Sequence, residues 1–155
     1  GKRTRFSEGL AGQARSLTTQ HLGDRIENCS ATVATALAIR PGSKVVRIEG
    51  VSSADGRPLS RATTWLPYRR FADCAARLVE RRSFTAVFAS YGIADYARSS
   101  TRISARHADV EETQLLGLAP GAILLVSEAI DVDLSGNPIS YALSRFPAER
   151  MELVV

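Results

Sequence analysis

The residues of this chain best suited to chemistry are arginines set beside hydroxyls. Arg3-Thr4-Arg5-Phe6-Ser7-Glu8 places two guanidiniums directly ahead of a serine of the kind that opens a helix. Arg82-Ser83 repeats the device in mid-chain, and Arg98, Ser100, Arg102, Ser104 and Arg106 alternate along one stretch. A guanidinium offers an oxyanion two parallel hydrogen bonds, and the free N–H groups at a helix start add a positive field. The chemistry these residues point to is recognition of a small anion. On an extended strand the alternating set shares one face. The alternative is a solvated outer face, with Thr101, Ile103, Ala105 and His107 turned inward. For Ser7 and Ser83 the plain alternative is a helix cap and nothing more.

Covalent and metal chemistry find no support. There is no Walker loop, no Gly-x-Gly-x-x-Gly, no His-Glu-x-x-His, no Cys-x-x-Cys and no Gly-x-Ser-x-Gly. His21 and His107 are isolated, and no nucleophile stands beside a base. No catalytic residue, metal or cofactor is expected. Cys29 and Cys74 are too few and too far apart for a disulfide framework, which reads as reduced thiols in a cytoplasmic protein. The net charge of +4 is mild and the arginines are spread along the chain, which disfavours a nucleic-acid face. No apolar stretch approaches the ~20 residues a membrane span needs. The start, Gly1-Lys2-Arg3-Thr4-Arg5, lacks the apolar stretch of a signal peptide.

The elements that must position the arginines are written twice. Pro41-Gly42 and Pro120-Gly121 stand 79 residues apart, and Gly56-Arg57-Pro58 and Gly136-Asn137-Pro138 stand 80 apart. One inserted residue in a hairpin turn accounts for the difference. Ser30 and Asp109 are helix N-caps, opening helices over 30–39 and 109–117 that Pro-Gly then stops. Val45–Val51 and Ile123–Ile130 are β-branched runs and predict strands, turning at Asp55-Gly56 and Ser135-Gly136 into return strands over 58–66 and 138–146. Extended segments precede both helices, over 18–27 and 96–106, and short helices opened by Ser7 and Ser83 precede those. A third helix, over 71–79, joins the halves, and a last strand runs Met151–Val155. At 155 residues, 45% hydrophobic and 23% charged, this is one α+β domain, mainly antiparallel, with helices on one face or at the ends. Duplication predicts two similar surfaces face to face, with a cleft between them.

The residues so assembled resemble a known family. Arg5-Phe6-Ser7-Glu8, Val46-Arg47-Ile48-Glu49, Ala54-Asp55-Gly56-Arg57-Pro58 and Trp65-Leu66-Pro67 match the UTRA domain, the effector-binding half of HutC-type GntR transcription regulators. So do Ser83-Phe84, Leu116-Gly117-Leu118 and Ser135-Gly136-Asn137-Pro138-Ile139-Ser140-Tyr141. Thr101–Arg106 is similar to the branch that regulates phosphonate utilisation (PhnF-like). The resemblance covers nearly all of residues 1–155 and implies a chorismate-lyase-like fold with a six-stranded antiparallel core. It implies a homodimer, and a winged-helix DNA-binding domain N-terminal to this chain, since no helix-turn-helix fits before Thr18. It implies a repressor whose DNA affinity changes when a small phosphonate or phosphorylated metabolite binds.

The resemblance also assigns the site residue by residue. Ser83 matches the serine that holds phosphate in sugar-phosphate-binding relatives. Two strand arginines of those relatives fall at Gly50 and Ser52, a strand carboxylate at Ala62, a late glutamate at Ser140, a tyrosine at Thr85 and a late aromatic at Phe146. The implied ligand set is Arg5, Phe6, Ser7, Ser52, Ser83, Thr85, Arg102, Ser104, Ser140 and Phe146, with Arg5, Ser7, Ser83, Arg102 and Ser104 as the anion shell. A chorismate-lyase-like enzyme and a purely structural dimerisation module are the rival readings. Glu49 and Glu128, equivalent in the two copies, read as repeat symmetry and not as a catalytic dyad.

Overall fold

The structure is a computed structural model and describes residues 17–152 and residue 154. Its centre is one antiparallel sheet of six strands in the order β1-β2-β3-β6-β5-β4. The strands are β1 (Leu17–Asn28), β2 (Lys44–Ala54), β3 (Arg57–Pro67), β4 (Tyr96–His107), β5 (Ile123–Asp133) and β6 (Pro138–Pro147). The helices are α1 (Ala31–Leu37), α2 (Tyr68–Phe71), α3 (Cys74–Arg81), α4 (Phe84–Ser90) and α5 (Val110–Leu116), with a 3₁₀ turn at Ala148–Arg150. The repeat is visible in the bounds, since β1, α1 and β2 recur 79 residues later as β4, α5 and β5.

Local chemistry explains these elements. Ser30 accepts a hydrogen bond from the Val33 amide at the start of α1. Asp109 and Glu112 form a reciprocal capping box on α5. Both helices end in a left-handed residue, Ala38 and Gly117, whose N–H bonds back to the last turn. The helix ends are therefore set by these caps, and the Pro-Gly pairs lie beyond them in the turns that follow. Asp55 and Gly56 both have positive φ, 51° and 79°, as a two-residue type I′ hairpin turn requires. The second hairpin is longer, and the Asp133 carboxylate accepts the backbone N–H groups of Ser135 and Asn137. Each hairpin slips register once, leaving Leu59 or Ile139 as the extra, buried residue of a bulge.

Neighbouring strand residues point to opposite faces, and both faces are covered. Val46, Ile48 and Leu66 pack on one face against Phe71, Cys74, Val87 and Phe88 of α2–α4, together with Tyr96. Phe88 meets Phe71 and Tyr96 edge-on, with ring centres 5.7 and 5.1 Å apart. On the opposite face Val45 and Tyr141 pack against α1, and Val51, Leu124 and Val126 pack against Leu116 of α5. We call these the linker face and the repeat face. The expectation of helices on one face or at the ends is thereby corrected: two apolar strand faces each need a cover.

The expected cleft between facing halves is also corrected. The halves join edge to edge, β3 pairing with β6 from Arg61↔Arg145 to Trp65↔Tyr141. Each hairpin leaves one strand edge open, and backbone pairing satisfies it. Met151, Glu152 and Val154 carry no strand, so the final strand is absent among the described residues.

Candidate ligand-binding site

A cavity of about 770 Å³ opens between the linker face and the segment joining α3 to α4. Its floor is small: Gly50 and Ser52 of β2 and Ala62 of β3. β1 contributes Thr19, Gln20 and His21, α3 contributes Leu78 and Val79, and Arg82, Ser83, Phe84 and Thr85 form the rim. Tyr96, Arg98 and Asp131 close the far end.

The polar groups around this space are placed by strand register and caps. Ser83 caps α4, its Oγ accepting the Ala86 N–H at 3.3 Å. Arg82 beside it ends α3 with φ +61°, an uncommon left-handed backbone for a residue with a side chain. Thr85 Oγ1 and Tyr96 Oη share a 2.7 Å hydrogen bond. Thr19 Oγ1 lies 3.4 Å from Ser52 Oγ, across the β1–β2 pair. Arg98 donates from Nε to Asp131 Oδ1 at 2.6 Å and from Nη1 to Thr101 Oγ1 at 3.1 Å. His21 Nε2 pairs with Asp24 Oδ2 at 2.8 Å, while its Nδ1 is buried with no hydrogen-bond partner among the described residues. A buried, unpaired ring nitrogen at a cavity wall is a group that a ligand can satisfy. The arrangement can hold a small oxyanion with hydroxyls and two guanidiniums.

The structure scatters the residues expected to form the site. Ser52, Ser83 and Thr85 line the cavity, as do Gly50 and Ala62, where relatives were expected to carry charge. Ser140 is buried opposite Asp131, and Phe146 is buried in the sheet opposite Leu125; neither lines the cavity. Arg5, Phe6 and Ser7 lie outside the described residues. Arg102 and Ser104 are exposed on β4, on the repeat face, so the expected shell uniting them with Ser83 is corrected.

The cause is a bulge. β4 slips register against β5 between Arg98 and Ser100, which makes Ser99 an extra residue. Arg98 therefore faces the linker side, while Ser100, Arg102, Ser104 and Arg106 face the repeat side. Simple alternation hides this and groups Arg98 with the wrong neighbours. Nor are Thr101, Ile103, Ala105 and His107 turned inward, for all four are exposed. The β1 contribution of Thr19 and His21 has a faint signal in sequence: both are polar and two residues apart, hence on one face.

The repeat face holds a different polar assembly, an ion network across the seam of the two halves. Glu49 accepts hydrogen bonds from Arg47 Nε at 2.9 Å and Thr63 Oγ1 at 2.8 Å, and Arg145 Nη2 donates to Thr63 Oγ1 at 3.0 Å. Arg106 grips Glu112 with two bonds of 2.7 and 2.8 Å. Those bonds, with the capping-box amide, hold the Glu112 carboxyl down at about 2 against the opposing effect of burial. Burial pushes the Arg145 guanidinium down, with Arg61 adding like-charge repulsion. Burial likewise pushes the Cys74 thiol up to about 12, leaving it an inert core residue.

Comparison with known proteins now fixes the class of the molecule. Residues 12–152 match the UTRA domain, so the chain belongs to the UTRA domain family. An uncharacterised HTH-type transcriptional regulator of Rhizobium meliloti, RB1450, is 45% identical over 98% of this chain and 62% of its own length. A probable transcriptional regulator of Escherichia coli, PhnF, is 28% identical over 97% of this chain and 63% of its own. The chain thus spans about three-fifths of these two curated relatives. Among solved structures, PhnF from Mycobacterium smegmatis superposes with a TM-score of 0.84 at 22% identity, covering 99% of this chain and 68% of that one. The ligand-binding domain of a GntR-family regulator from Bordetella bronchiseptica gives 0.82 at 23%, covering 92% of both. These likenesses support the six-stranded α+β fold. The relatives are regulators and their ligand-binding domains, so the enzyme reading falls. No helix among the described residues is long and apolar enough to cross a membrane.

Proposed function

We propose that this domain senses a small phosphonate or phosphorylated metabolite in the cavity beside Ser83, and that it is the sensor half of a cytoplasmic HutC-type repressor. The observation that carries the reading is the cavity itself: about 770 Å³ of space with Arg82, Ser83, Thr85 and Arg98 around it and a floor of Gly50, Ser52 and Ala62. Guanidiniums and hydroxyls without a nucleophile suit binding of an oxyanion and not its turnover. The small floor residues leave room where charged side chains would select a sugar. A purely structural dimerisation module has no need of such a space.

In this reading DNA is bound by a winged-helix domain N-terminal to this chain, and the protein works as a homodimer. The ligand acts by population shift. It prefers one arrangement of the dimer and changes the spacing of the DNA-binding heads only in proportion to that preference. Support for the phosphonate class comes from the resemblance at Thr101–Arg106, together with the anion-matched rim.

The test is calorimetry of the isolated domain against methylphosphonate, 2-aminoethylphosphonate, glycerol phosphate and glucosamine 6-phosphate. At least one should bind, and Arg82→Ala and Ser83→Ala should each weaken it at least tenfold. Failure of every oxyanion to bind, or unchanged binding by both variants, sinks the reading.

A further inference from the structure

A second space lies on the repeat face, on the other side of the sheet from the Ser83 rim. It encloses about 450 Å³ between α1 and the strands β4–β6, and is lined by Thr32, Thr35, Ser100, Arg102, Glu128 and Tyr141 among others. Its polar groups are incompletely used. Tyr141 Oη donates to Glu128 Oε1 at 2.6 Å. Arg102 sits directly across the β4–β5 pair from Glu128. It nevertheless makes no hydrogen bond or ion pair with any described residue, whereas its strand neighbours Arg98 and Arg106 are both paired.

The internal repeat shows what normally fills this space. Thr32 corresponds to Glu111, Glu128 to Glu49 and Tyr141 to Arg61. In the second copy, Glu111 reaches down from α5 and its carboxylate meets Arg61 Nη1 at 2.7 Å, over Glu49. In the first copy the residue on α1 is Thr32, too short to make that reach. The cation has also moved, from the position of Tyr141 on β6 to Arg102 on β4, two strands away across β5. In one of the two equivalent places the helix of one copy thus supplies a carboxylate to the guanidinium of the other, while the second place presents a guanidinium, hydroxyls and a cavity where the carboxylate is missing. The Arg102 guanidinium gives an oxyanion two parallel donors, and the Glu128 carboxylate, held by Tyr141, accepts a hydroxyl or amine beside it. Ile130 and Ala36 form an apolar side suited to a short carbon skeleton.

We infer that this cavity is a second ligand site, separate from the phosphonate cavity, and that it takes a small carboxylate carrying an adjacent hydroxyl or amine, such as a hydroxy acid or amino acid. The experiment is a nuclear magnetic resonance titration of the chain with glycolate and L-serine, and with inorganic phosphate as the contrasting anion. Glycolate or L-serine should give saturable shifts at the amides of Thr32, Thr35, Ser100 and Arg102. Arg102→Gln, a change at an exposed residue, should weaken binding at least tenfold while leaving the spectrum of the core unchanged. Thr32→Glu should do the same by restoring the internal carboxylate that Glu111 supplies in the other copy. Ser83→Ala should leave this binding intact, which separates it from the phosphonate reading. The inference is overturned if neither probe shifts those amides saturably, if Arg102→Gln binds as well as the parent, or if the shifts cluster around Ser83 instead.

Discussion

At the scale of single residues, the sharpest energetic feature is Glu112. It is buried on the repeat face, capped to its own helix and gripped by Arg106, with Arg145 Nε 3.7 Å away. Its carboxyl titrates at about 2 in the fold and near 4.5 in the unfolded chain. A depressed carboxyl stabilises the fold fully above the unfolded value and loses that contribution as pH falls through the folded one. The contribution is up to about 3 kcal/mol at neutral pH, and it should fade between pH 4.5 and 2. Glu112→Gln should destabilise the domain by about 3–5 kcal/mol near pH 7, because it strands buried guanidinium charge. It should also flatten the fall in stability over that acid window, which denaturant titrations at several pH values would show. Little of this was legible in advance. Asp109 and Glu112 announce a capping box by their spacing, but their pairing with a guanidinium six residues upstream depends on where α5 lands on the sheet.

At the scale of elements, caps and turns were readable and bulges were not. Ser30, Asp109 and Ser83 each act on backbone N–H groups within three residues, so sequence spacing alone locates them. Asp109→Ala should cost about 1 kcal/mol through loss of that cap, visible as a lowered thermal midpoint. Gly56→Val should cost at least as much, because a β-branched residue resists φ of +79°; Asp55→Asn, tolerant of the left-handed region, should be nearly neutral. Chemical denaturation of both hairpin variants checks this contrast. The bulge at Ser99 has no such local signature. It arises where β4 must satisfy its pairing with β5, and it turns an apparent row of five side chains into one residue on the linker face and four on the repeat face.

At the scale of the whole molecule, the duplication built one continuous sheet and then broke its own symmetry. The central β3–β6 pair makes each half the missing edge partner of the other. The first half's Val46, Ile48 and Leu66 share a core with Tyr96 and Ile139 of the second. Residues 17–90 expressed alone should therefore lack a cooperative thermal transition, because one strand edge and that shared core are exposed to water. Mixing them with residues 91–155 should restore one. A stable, cooperative isolated half, seen by circular dichroism, would show that the seam is dispensable.

The chain's own order of residues determined the repeat, the caps, the first hairpin turn and the alternation of strands and helices, since each depends on spacings of a few residues or on one fixed offset. Ser83 as a helix cap was legible for the same reason, since it opens α4, whereas its place on a cavity rim is set by how α3 and α4 pack on the sheet. Tertiary structure alone decided that the halves meet at an edge, that Arg98 and Arg102 serve opposite faces, and that Thr32, Arg102, Glu128 and Tyr141 converge. Those residues come from four elements up to 109 positions apart, and their meeting depends on strand order and on a single extra residue in β4. A one-residue slip moves every later side chain to the other face, and neither composition nor periodicity records it.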